Sequence, residues 1–314
     1  MFRFIARLSI LTVLVNLGFI LVARGAAPHI SASEQVVYVA SVSGRQQLRI
    51  ADLTRGISAR LAPDFADALQ PNISPRTRDL VFASRRGGDA ELYWLRLGDS
   101  APRQLTDNNY DDLNPEWSPD GEWIVYQANP GGIHQFFLID AAGEKRRQLT
   151  FNETDYARPS WSPDGRALVY DAAGEIFVYE LASASSRALT NDEYWDAQAA
   201  WSPDGAAIVY DSFRGGSWNL YRLDTATGLV SALTPPGRDE QGASFTNQPG
   251  RIVYQSVTKF PGLLFLMDLA DPDAFRAISV PPAFGAPLHA LFGNGKALAL
   301  DGVDILAPNW LLNP

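Results

Sequence analysis

Short apolar runs recur along the chain, each entered from a polar turn: LVF at 80–82, IVY at 124–126, LVY at 168–170, IVY at 208–210 and IVY at 252–254. Aligned on the turn, the segments read NISPRTRDLVF from Asn72, EWSPDGEWIVY from Glu116, SWSPDGRALVY from Ser160, AWSPDGAAIVY from Ala200, SFTNQPGRIVY from Ser244 and LFGNGKALAL from Leu291. The first serine of the turn moves from 74 to 118 to 162 to 202, a period of 40 to 44 residues, which is the length of a four-stranded propeller blade. Helical repeats of similar period would need apolar residues at helical spacing, and none is present.

Four extended segments recur within each period, designated a to d from the inside outward. The clearest set is Pro115 to Ser118, Trp123 to Gln127, Gln135 to Asp140 and Arg147 to Thr150, each bounded by Gly, Pro, Asn or Asp. Segment c returns as QLRIADL from Gln47, ELYWLRL from Glu91, EIFVYEL from Glu175, NLYRLD from Asn219, LLFLMDL from Leu263 and VDILAP from Val303; segment d returns as RQLT, RALT, SALT and RAIS. Both ends of the chain carry their own b and c segments: Val36 to Ala40 with Gln47 to Leu53, and Lys296 to Leu300 with Val303 to Ala307. The count predicts an all-β propeller of seven blades of four antiparallel strands, the alternative being six blades and an irregular terminal hairpin. Pairing of the two ends is expected to close the ring and hide its open sheet edges.

The turn WSPDG has a backbone explanation. Pro satisfies its own φ, Asp bonds nearby N–H groups, and Gly takes the positive φ the turn requires, so Asp120 and Gly121, Asp164 and Gly165, and Asp204 and Gly205 are structural. Trp117, Trp161 and Trp201 end strand a, where a large ring fills the wedge between blades.

The order of LT, an acidic stretch, WSPDG and an IVY-like strand resembles the propeller repeat of the TolB family, over roughly Ala62 to Tyr254. The resemblance implies a β-propeller that works in the bacterial cell envelope as a platform for protein or peptide partners. Two departures separate the chain from TolB itself: there is no room for that family's N-terminal α/β domain, and the last two repeats have lost the motif.

Charge and composition narrow the partner. A formal net charge of −9 disfavours a polyanion, and no basic run exceeds Lys145 to Arg147, so nucleic acid is not expected. Cysteine is absent, which excludes thiolate chemistry and Cys-ligated zinc. Arg3 and Arg7 precede the apolar run Leu8 to Ala23, so residues 1–27 read as a signal peptide or membrane anchor of helical form and 28–314 as the propeller. The chain is thus expected to be exported, to the periplasm or another extracytoplasmic compartment, with membrane attachment where the segment is kept.

No G-x-S-x-G elbow is present, and His29, His134 and His289 fall in different repeats without metal-ligand spacing, so no catalytic residue and no metal ligand is assigned. The d-to-a loops, by contrast, are acidic and aromatic. They place Tyr110, Asp111, Asp112, Asp155, Tyr156, Tyr194, Trp195, Asp196, Asp239 and Glu240 at one face, expected to hold a partner, with Arg85, Arg86, Arg214 and Lys259 on the neighbouring b-to-c loops. Carboxylates around one axis focus negative potential, which suits a cationic peptide. Ca²⁺ is the one cofactor such a ring could take, and a hydrolase or lyase using those carboxylates on a sugar or small ester is the alternative function.

Overall fold

A computed structural model of the chain describes residues 35–42, 45–52, 57–65, 67–151, 153–245, 250–256, 263–278, 296–300 and 303–307. The N-terminal hydrophobic segment expected over 1–27 lies outside them, as do His29, Lys259 and His289. Every regular element among the described residues is a strand. β1 (Gln35–Val42), β2 (Arg45–Asp52) and β3 (Ile57–Arg60) come first. Five antiparallel four-stranded blades follow. Blade 1 is β4 (Ala68–Ile73) to β7 (Arg103–Gln104), blade 2 is β8 (Asp112–Trp117) to β11 (Arg146–Gln148), and blade 3 is β12 (Ala157–Trp161) to β15 (Ser185–Ala188). Blade 4 is β16 (Trp195–Trp201) to β19 (Val230–Ala232), and blade 5 is β20 (Glu240–Phe245) to β23 (Asp271–Ile278).

The expectation of seven blades is corrected here. The last strands, β24 (Lys296–Leu300) and β25 (Val303–Ala307), form no blade of their own but join β1 to β3 in one five-stranded sheet of order β24-β25-β1-β2-β3. β1 pairs with β25 in parallel at Gln35 and Ile305, and every other pairing is antiparallel to its neighbour in the hairpin. The reason is edge satisfaction: each end carries too few strands to stand alone, and joining them covers the open edge of both. First strands pack on first strands around the ring, β4 on β8, β8 on β12, β12 on β16 and β16 on β20, while β24 lies against both β20 and β4.

The b strands are largely apolar because each is covered on both faces. β5 (Leu80–Ser84) and β13 (Ala167–Ala172) are buried at every position, whereas the outer strands β15 and β19 are exposed at every position. Alternate b-strand side chains therefore face opposite neighbours. In β9 (Trp123–Ala128), Ile124 and Tyr126 pack with Val81, Leu92 and Trp117 toward blade 1, and Val125 packs with Trp161, Leu168 and Tyr170 of blade 3. Trp117 and Trp161 are buried in these wedges, and Trp201 is half-buried against the next one.

A recurrent kink in strand a was not expected from the repeat. Each of β4, β8, β12, β16 and β20 shifts register at one place, and the residue there has positive φ: Gln70 (49°), Asn114 (50°), Arg158 (48°), Gln198 (57°) and Gly242 (67°). A left-handed residue other than Gly costs on the order of 1 to 2 kcal/mol. Side chains of the preceding blade offset it by capturing the N–H that the bulge frees. Gln70 Oε1 accepts from Asn114 N (2.8 Å), Gln127 Oε1 from Arg158 N (3.1 Å), Asp171 Oδ1 from Gln198 N (3.1 Å), and Asp211 from Gly242 N (2.9 and 3.0 Å). The bulge side chains in turn bond the b strand of their own blade: Asn114 Nδ2 donates to Gln127, Arg158 to both oxygens of Asp171 (3.1 and 3.0 Å), and Gln198 Nε2 to Asp211 Oδ2 (2.8 Å). A polar belt thus runs unbroken from blade 1 to blade 5. Burial pushes the Asp211 carboxyl up to about 8 against these donors.

Candidate functional site

The loops at the two ends of the blades do different things, and the threonine of the LT pair shows how the first end is built. Thr106, Thr150, Thr190 and Thr234 accept, through Oγ1, the N–H groups of Leu92, Phe136, Ile176 and Leu220 in strand c (2.9 to 3.0 Å). That bond folds the d-to-a loop back over the start of strand c. The residue opening strand a then turns inward between blades rather than out to solvent.

Four of the residues expected at an exposed face are consequently buried: Asp112, Tyr156, Asp196 and Glu240. Tyr156 packs edge-on against Phe136 (5.1 Å between centroids) and beside Tyr170 (4.8 Å), as a core residue. The three carboxylates each approach an arginine just beyond bonding range. Arg146 lies 3.9 Å from Asp112, Arg214 lies 4.0 Å from Asp196, and Arg238 lies 3.8 Å from Glu240. These arginines come from three different places in the repeat: the start of strand d, the end of strand b, and two positions before strand a. No spacing rule reveals such a pairing, so it was illegible in the sequence. Burial, relieved in part by these partners, pushes the Asp112 carboxyl up to about 7 and that of Asp196 up to about 6. The same burial, together with Asp112, Asp196 and Glu240 respectively, raises the phenols of Tyr126, Tyr210 and Tyr254.

The other predicted residues stay nearer solvent. Arg85 grips half-buried Asp111 with two bonds (2.8 and 2.7 Å), which with the Ala90 N–H outweigh burial and keep that carboxyl low. Half-buried Tyr110 accepts from Arg146 Nη2 at 2.8 Å. Exposed Asp155 binds both the N–H and Nδ1 of His134 (2.7 and 3.0 Å), so that histidine anchors a loop. Asp239 accepts from Trp218 N at 3.0 Å. Arg86 stacks on Phe65 at 5.1 Å, and Arg214 is held between the rings of Tyr194 (4.4 Å) and Tyr221 (4.2 Å).

Trp195 is the exception, at 60% exposed. Its ring rests on Gly174, where an added Cβ would meet it at 3.3 Å and where φ is +85°, so this position needs glycine twice over. Trp195 pairs with Phe213 across β16 and β17 (Ala207–Arg214), and Phe213 pairs with Trp218 on β18 (Ser217–Asp224), with ring centroids 5.5 Å apart. The three rings form a row. Phe213 is 42% exposed, Trp218 is half-buried, and Phe151 of the loop leading into blade 3 is 78% exposed. Asp192 and Glu193 are exposed beside the row.

At the opposite end lie the WSPDG turns. Ser118, Ser162 and Ser202 donate Oγ–H to Asp120, Asp164 and Asp204 (2.5 to 2.6 Å), and each aspartate accepts the N–H two residues on (3.0 to 3.1 Å). The serine hydroxyl, first, and these N–H groups hold all three carboxyls below their usual range. Gly121, Gly165 and Gly205 have φ near +70°. Every bond these aspartates make belongs to the turn itself.

The comparisons fit this architecture. Residues 25–175 match the family described as the TolB beta propeller domain. No curated protein matches the chain. Among solved structures, TolB from Acinetobacter baumannii is 22% identical, with a TM-score of 0.65 over 78% of this chain and 63% of its own, so the chain spans less than two thirds of that protein. A TolB described as putative, from Agrobacterium tumefaciens, is 19% identical, with a TM-score of 0.61 over 79% of this chain and 89% of its own. A puromycin hydrolase S511A mutant complexed with PGG is 20% identical, with a TM-score of 0.59 over 86% of this chain and 50% of its own. The repeats, the blade architecture and these matches together establish a β-propeller fold, whose first part, residues 25–175, is similar to the TolB beta propeller domain.

Proposed function

We propose that the chain is a non-catalytic platform in the cell envelope that binds a protein or peptide through its d-to-a and b-to-c loops. The observation that carries this reading is the row of Trp195, Phe213 and Trp218, flanked in sequence by exposed Asp192 and Glu193. Large rings left open to water at one end of a propeller cost solvation free energy that a partner would recover, and aromatic anchors dominate binding at such surfaces. The buried carboxylates behind the row take no direct part. Asp112, Asp196 and Glu240 are buried, so the polar attraction comes from exposed Asp155, Asp192 and Glu193 at the rim. Rim charges act mainly on the rate and salt dependence of association.

Cross-linking the chain in its native membranes and capturing it with its partner tests this. Trp195→Ala combined with Phe213→Ala is expected to lose at least tenfold of the captured partner, with the melting temperature held within a few degrees. Equal capture by the double variant would refute the reading.

A further inference from the structure

Two joints in the ring are built from equivalent residues with one difference. Between blades 1 and 2, Glu91 opens strand c, Asn108 follows the LT threonine by two residues, and Asp112 opens strand a. Asn108 donates its N–H to Glu91 Oε1 (2.7 Å), and its amide Nδ2 donates to Glu91 Oε2 (3.2 Å) and Asp112 Oδ2 (2.8 Å). The neutral amide is the donor that joins two buried carboxylates. Between blades 3 and 4 the same places are Glu175, Asp192 and Asp196. Asp192 N–H again reaches Glu175 Oε1 (3.3 Å), so the backbone follows the same course. A carboxylate now stands where the amide donor was.

The three acids bring one oxygen each to within 4.8 Å of one another. Asp196 is fully buried, its Oδ1 takes the Ser212 hydroxyl, and its Oδ2 has no hydrogen-bond partner. At the equivalent joint Asp112 Oδ2 receives the amide, and its Oδ1 has no hydrogen-bond partner. Arg214 does not fill the gap, for it lies 3.0 Å from Asp192 Oδ2 and 4.0 Å from Asp196 Oδ1, fixed between two tyrosine rings. One guanidinium stands against three carboxylates, of which Asp196 is buried, Glu175 half-buried and Asp192 exposed, and the buried one favours a cation beside it.

We propose that Glu175, Asp192 and Asp196 hold a calcium ion at the joint between blades 3 and 4. All donors are oxygens, the set a hard cation selects. Ca²⁺ accepts irregular, partly hydrated oxygen sets, whereas Mg²⁺ demands near-octahedral geometry, so three carboxylates from different strands and loops suit the larger ion. Three protein carboxylates, completed by water, place the affinity in the range of roughly 10⁻⁴ to 10⁻³ M. The ion would tie the loop carrying Tyr194 and Trp195 to blade 3, as Asn108 ties its own loop to blade 1.

Calorimetric titration of Ca²⁺ into the full chain, stripped with chelator, tests the site without any partner. One ion is expected to bind per chain. Asp192→Asn restores the Asn108 arrangement and should fold, while weakening Ca²⁺ at least tenfold. Glu175→Gln is expected to do the same from the other side of the joint. Exposed Glu122→Gln, at the far end of blade 2, removes the same charge and is expected to leave binding unchanged. No binding by the wild type up to 10 mM, or equal binding by Asp192→Asn and the wild type, would overturn the assignment.

Discussion

Trp161 and Asp164 belong to one copy of one motif and stabilise the chain in different amounts. Trp161 is buried among Val125, Phe136, Leu138 and Leu168, and donates through its backbone to Glu116 Oε1 at 2.9 Å. Trp161→Ala is therefore expected to cost about 3 to 5 kcal/mol in urea unfolding. Asp164→Ala removes an exposed carboxylate's two turn bonds and is expected to cost about 1 kcal/mol, with partner capture unaffected because the turn lies at the other end of the blade. A larger loss for Asp164 than for Trp161 would mean that the motif is kept for its aspartate. These roles were readable from SPDG alone, since the local turn rules mention only neighbours in sequence. The inward turn of Asp112, Asp196 and Glu240 was not, because the bond that buries them comes from a threonine one strand away.

At the scale of strands, the blades were legible because turn signals and apolar runs repeat at fixed spacing. The bulge in strand a was missed although its marks are present. Gln70, Asn114, Arg158, Gln198 and Gly242 each stand three positions before the residue ending strand a, and Gln127, Asp171 and Asp211 directly follow the IVY or LVY run. A polar residue at the end of a buried strand asks for a partner, and the kinked neighbour supplies it. Asp171→Asn tests that coupling. It keeps the shape but turns an amide N–H toward the Arg158 fork, a pair with only 11% of the aspartate side chain exposed. An expected loss of about 2 to 3 kcal/mol in denaturant unfolding, larger than for substitutions of the same kind on strand d, would show that the belt holds blades 3 and 4 together.

For the molecule as a whole, Asp112, Asp196 and Asp211 share one behaviour, because burial raises all three carboxyls, to about 7, 6 and 8. The folded chain then binds protons that the unfolded chain has already lost above about pH 4. The stabilising contribution is complete below that value and disappears as pH rises through the folded values, so stability should fall between pH 4 and pH 8. Melting temperatures in chelator-containing, low-salt buffer measure this, and Asp112→Asn is expected to flatten the slope. A melting temperature that climbs steadily from pH 4 to pH 8 would show instead that the arginines keep these groups ionised. The number of blades was the part of this scale that pattern alone could not fix. Both ends look like the start of a repeat, and only the pairing of Gln35 with Ile305 shows that they complete one sheet.

That pairing leaves the ring with a seam. Elsewhere a continuous peptide passes from each blade to the next, but between β1 and β25 only hydrogen bonds and packing resist separation. Mechanical or thermal opening has its cheapest starting point there. The aromatic row sits at the joint of blades 3 and 4, about half-way round in either direction, so a ligand pulling on it would strain covalently linked blades before it reached the fastening.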